Sequence, residues 1–148
     1  MDLEAAMPDP VSPSLAQAQD DLRDDHLRLE RLAERLRSAS DLPELVSAIE
    51  ELAQALSAHF AHEERPGGLY DALGLCAPEH RDRVRALVDE HLRLLAGARS
   101  LAMRGRALLE RSRELQHEAT DFAATLRGHE VREHALAREA MGAAQPPH

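Results

Sequence analysis

Residues 41–63 read DLPELVSAIEELAQALSAHFAHE. Leu42, Leu45, Ile49, Leu52, Leu56, His59 and Glu63 follow one another in steps of three and four, which places them on one face of an α-helix. Asp41 with Glu44 three residues later, Ser40 before them and Pro43 in the first turn form the start signal of that helix. The stretch from Arg65 to Pro78, with Gly67 and Gly68, is its stop signal. An apolar stripe of five residues therefore closes on an imidazole and a carboxylate four residues apart, neighbours on the buried face.

Three further stripes flank this one. Before Ser40 the chain offers Leu15, Gln19, Leu22, His26, Leu29, Ala33 and Leu36. After Pro78 it offers Val84, Leu87 or Val88, His91, Leu94 or Leu95, Ala98, Leu101, Gly105 and Leu108, then Leu115, Ala119, Phe122, Leu126, His129, Glu133 and Leu136. The block from Glu79 to Ala140 is too long for one helix of a small globule, so it is expected to fold back once. The turn is expected at Gly105 or in the polar run Glu110, Arg111, Ser112 and Arg113. The fold predicted is all-α, an antiparallel up-and-down four-helix bundle over residues 14–140. Pro8, Pro10 and Pro13 mark residues 1–13 as a flexible lead, and Pro146 and Pro147 mark 141–148 as a flexible tail.

Composition agrees with this reading and excludes others. Two Phe, one Tyr and no Trp in 148 residues cannot supply the aromatic core of most sandwiches and barrels. The 27 carboxylates outnumber the 18 cationic side chains, all of them Arg, which argues against a nucleic-acid partner. No stretch approaches a membrane span, and the acidic, Pro-containing start is unlike a secretory signal. A lone Cys76 forms no internal disulfide and fits a reducing compartment, so a cytoplasmic protein without a membrane partner is expected. No flavin, haem or nicotinamide motif is present, and no protein partner is legible.

Four of the nine His, namely His26, His59, His91 and His129, fall on the stripes, one per expected helix. Glu63 and Glu133 each follow a stripe His by four residues. Ligands of one site on antiparallel neighbours should lie symmetrically about the connecting turn. The midpoint between His26 and the His59/Glu63 pair is near residue 43, that between the pair and His91 near 76, and that between His91 and His129 at 110. All three fall in expected connections, so the six residues can share one layer. Burying such groups unpaired costs on the order of several kcal/mol each, which metal binding removes. Imidazoles with bridging carboxylates suit two close cations, and six protein ligands leave open positions for a small ligand.

The remaining polar residues divide more simply. Glu30, His62 and Tyr70 are candidates for supporting positions around the ligands; Tyr70 lies in the 65–78 loop, which follows Glu63 at once and is placed to cover the centre. Glu64, Glu130 and His134 are expected to be solvated, as is the face carrying Arg81, Arg83 and Arg85. Glu114 and His117 are read as surface residues, and Cys76 as a small buried one. Leu29, Leu56, Phe60, Leu94, Leu95 and Leu126 are expected to keep the layer dry.

Asp25-His26-Leu27, His59-Phe60-Ala61-His62-Glu63-Glu64, Glu90-His91-Leu92, and His129 with Glu133 together resemble the hemerythrin-like family, the HHE cation-binding domain, over residues 14–140. The resemblance implies a non-haem di-iron centre with an oxo or hydroxo bridge and two bridging carboxylates, held by His26, His59, Glu63, His91, His129 and Glu133. Other divalent metals fit the same donors. The oxygen-carrying members have a further His four residues after the helix-three His, where this chain has Leu95, and an Asp five residues after the last His, where it has Glu133 at four. The resemblance therefore implies binding of, or reaction with, dioxygen, peroxide or nitric oxide rather than simple oxygen carriage. A non-enzymatic iron sensor, an iron store and an interaction module stay open as alternatives.

Overall fold

The computed structural model describes residues 14–144, and among them it is helical throughout apart from short connections, without strands. The helices are α1 (Leu15–Asp21), α2 (Arg23–Ser38), α3 (Leu42–Glu64), α4 (Leu69–Cys76) and α5 (Arg81–Ala143), with a 3-10 turn at Pro78–His80. The expected flexible lead lies outside the described residues, as do residues 145–148 of the expected tail, while 141–143 continue α5. No helix among the described residues is long and apolar enough to cross a membrane.

The start signal at Ser40–Glu44 works as read, and Ser14 supplies another that the sequence reading did not name. Ser14 caps α1 by accepting from the Gln17 amide at 3.1 Å. Asp41 accepts from the Glu44 amide at 2.8 Å, and the Glu44 carboxylate reaches back to accept from the amide and hydroxyl of Ser40, one residue before the cap, in a variant of the capping box. α1 and α2 are the expected first helix, interrupted at Leu22. α2 and α3 then pack as a hairpin, tied by an Arg35–Glu51 ion pair of 2.6 Å.

The connection after α3 depends on two glycines. Gly67 adopts φ +74°, a conformation that L side chains rarely take. Gly68 lies so close to the end of α3 that a Cβ would stand 2.8 Å from the Glu63 carbonyl oxygen and 2.9 Å from those of His62 and Arg65. Gly68→Ala is thus expected to push α4 away from the end of α3 and to lower stability by about 1–3 kcal/mol, read as a fall in thermal midpoint.

The expected turn at Gly105 or at Glu110–Arg113 is not formed, because Arg81–Ala143 is one unbroken helix. Gly105 is buried in contact range of Val46, serving close helix approach rather than a turn. Glu110, Arg111 and Arg113 are good helix formers with no Pro among them, so nothing local stops propagation.

The chain divides into two compact units, one ending at Arg106 and one starting at Ala107. The first holds a core of Leu22, Leu32, Val46, Ile49, Phe60 and small alanines, and Arg106 of α5 pairs with Glu50 of α3. The second is helical, with Leu115, Phe122, Leu126 and Leu136 exposed.

Candidate metal centre

The last two turns of α3 carry the centre of the first unit. His59 and Glu63 are buried at 5 % and 7 % exposure, as the stripe predicts, and His91 of α5 joins them at 7 %. These are the buried polar side chains among the described residues, and all three belong to one cluster. Glu63 faces two ways. Its Oε1 lies 3.1 Å from His59 Nε2 and 3.9 Å from His26 Nε2, while its Oε2 lies 3.1 Å from His91 Nε2. His26, His59 and Glu63 place one donor atom each within 4.8 Å of one another, a group able to hold a cation.

Carboxylates behind the imidazoles fix their tautomers. Glu64 Oε1 lies 2.9 Å from His91 Nδ1, and since an ionised carboxylate only accepts, Nδ1 carries a proton and Nε2 is the ring nitrogen turned toward Glu63. Asp25 Oδ2 stands 3.5 Å from His59 Nδ1 and imposes the same arrangement there. Asp25 also meets His62 Nδ1 at 3.0 Å. That His62 hydrogen bond holds the Asp25 carboxyl below the usual carboxylate range, with His59 adding to the effect and partial burial opposing it. Imidazole nitrogens thus face the Glu63 carboxylate on both of its sides, an arrangement that a cation converts into ligation.

Aromatic packing holds the rings. Phe60 stacks on His91 with centroids 3.7 Å apart and planes 6° from parallel, and His26 meets His59 edge-on at 4.7 Å. α4 covers the His91 side, where the Tyr70 hydroxyl lies 3.3 Å from Glu63 Oε2 and 2.9 Å from His91 Nε2. Burial, then the charge of Glu63, pushes the Tyr70 phenol well above its ordinary pKa. A cavity of about 320 Å³ opens beside these groups, lined by Phe60, Leu69, Leu73, Leu87 and Leu94. It is large enough for a small ligand.

Of the six expected ligands, the structure gathers His26, His59, Glu63 and His91 in the first unit. His129 and Glu133 form their own pair at 3.0 Å in the second, with side chains 58 % and 63 % exposed. Of the supporting candidates, Tyr70 touches the cluster, His62 reaches it through Asp25, and Glu30 is exposed on α2. Cys76 is exposed rather than buried. Of the residues expected to keep the layer dry, Phe60 is buried, Leu29, Leu56 and Leu95 half-buried, and Leu94 and Leu126 exposed. Glu64, expected in solvent, instead supports His91, and Asp25, quoted in the sequence reading only within the motif around His26, had been assigned no place at the site. The level arithmetic that found the ligands reaches both: Asp25 and His62 share the midpoint near residue 43 found for His26 and the His59/Glu63 pair, and Glu64 and His91 are symmetric about the Leu75–Pro78 segment.

The supporting carboxylates carry a measurable consequence. Asp25→Asn and Glu64→Gln are each expected to weaken cation affinity about 10- to 100-fold while leaving the helical content intact, as read by titration calorimetry and circular dichroism.

The family model for the hemerythrin HHE cation binding domain matches residues 17–141. The all-helical fold is consistent with the four-helix bundle of that family. No curated protein and no solved structure matches the chain.

Proposed function

Because this chain belongs to the hemerythrin HHE cation-binding domain family, we propose that its cation-binding site is a di-iron centre that binds or reduces a small oxidant: dioxygen, peroxide or nitric oxide. The observation that carries this reading is the two-sided Glu63, whose oxygens face His59 and His26 on one side and His91 on the other. The donors fit iron. Imidazole nitrogen with carboxylate oxygen is a borderline set, and donor separations near 3 Å match neighbouring positions around an ion with bonds of about 2.1 Å.

Two irons would supply the electrons for the chemistry. The protein's part is to fix the imidazoles through Asp25 and Glu64, to bridge through Glu63, and to offer the apolar cavity beside Phe60 and Leu73 as the entry for an uncharged ligand. The test is elemental analysis of anaerobically purified protein, followed by peroxide and nitric-oxide kinetics with an added one-electron donor to return the irons to the ferrous state after each turnover. About two irons per chain and consumption of oxidant beyond the iron content are expected. Iron without turnover would overturn the reductive activity, and a chain that takes up no iron would overturn the centre itself.

A further inference from the structure

The donors around Glu63 are more numerous on one side than the His and Glu pattern requires. Tyr70 Oη, His91 Nε2 and Glu63 Oε2 form a triangle with sides of 2.9, 3.1 and 3.3 Å. An octahedral ion with bonds of about 2.1 Å has donor–donor edges of about 3.0 Å, so this triangle has the dimensions of one octahedral face.

Neighbouring elements fix each corner. Glu63 is held in the last turn of α3, His91 is stacked on Phe60, and Tyr70 is presented by α4, whose start is set by the close approach of Gly68 to α3. The opposite side of Glu63 has two imidazoles, His26 and His59, but this side has only His91. A phenolate oxygen there makes the two sides equal in donor number.

We propose that Tyr70 is itself a metal ligand: its phenolate oxygen binds the cation held by His91 and Glu63. On binding, the O–H bond breaks, the metal–oxygen bond forms and the proton passes to solvent, with no change in oxidation state. The assignment rests on the metal-centre reading above and extends it by one residue, which the family's His and Glu pattern does not contain.

Tyr70 is the sole tyrosine, and the chain has no Trp, so any tyrosinate signal belongs to it. The test loads the full chain with ferric iron and records the visible spectrum and resonance Raman scattering, in the parent and in Tyr70→Phe. A phenolate-to-iron charge-transfer band with tyrosinate ring modes is expected in the parent. In Tyr70→Phe, which keeps the ring against His91, the band and ring modes are expected to vanish while iron is retained at lower affinity.

A second probe does not depend on the variant folding. Zinc added to the parent is expected to release the phenol proton and to shift the tyrosine absorption toward that of tyrosinate. Iron bound without a tyrosinate signature, or a band that survives in Tyr70→Phe, would overturn the ligand assignment and leave the metal centre standing. Failure to bind either metal would overturn both.

Discussion

Glu63→Ala is expected to lower cation affinity on the order of 100-fold or more and, if the centre is the di-iron site proposed above, to remove both ions together. Loss of a group that only supports a ligand already costs about 10- to 100-fold, and Glu63 is the one side chain that faces every other donor of the first unit. A ligand serving a single ion would halve the metal content; a bridging ligand abolishes it. Equilibrium dialysis with elemental analysis separates these outcomes. Unchanged stoichiometry would reduce Glu63 to a hydrogen-bond acceptor for Tyr70 and the imidazoles.

Phe60→Ala is the substitution with the largest expected effect on stability. The ring is 6 % exposed, stacks on His91 and lies 5.6 Å from His59, so its removal opens a void between the two imidazoles. Truncating a buried Phe costs about 3–5 kcal/mol. With about 2–4 °C of midpoint lost per kcal/mol in a chain of this size, a fall of roughly 10 °C is expected in thermal denaturation. Phe60→Leu should recover much of it by refilling the volume. A fall of only a degree or two in Phe60→Ala would mean that α3 and α5 collapse onto the gap, and that the stacking does not hold His91 in place.

The site was legible where its residues obey helical periodicity. His59, Glu63, His91 and His26 lie on stripes with clear starts and stops, and the capping box at Ser40–Glu44 fixed the level of the hairpin. Asp25 and Glu64 escaped because each sits one residue beside a ligand, on a face that reads as solvent until the neighbouring helix is placed. The turn expected before the last stripe rested on the length of the block from Glu79 to Ala140, whereas the local sequence around Glu110–Arg113 only propagates helix. Seam arithmetic identifies which faces are apolar; it does not supply the breaker that a turn requires.

The end of α3 has a consequence for the metal-free protein. Glu63 and Glu64 occupy the last turn of that helix, and the carbonyl oxygens of His62, Glu63 and Arg65 crowd around Gly68. A helix carries the negative pole of its macrodipole at its C-terminus, where carboxylates are disfavoured. α3 therefore terminates against its own dipole, and a bound cation neutralises what the backbone and two acids accumulate there. Metal-free chains should fray at residues 61–65, and amide exchange there should slow on loading, because a ligand bound only by the folded end stabilises that end by mass action.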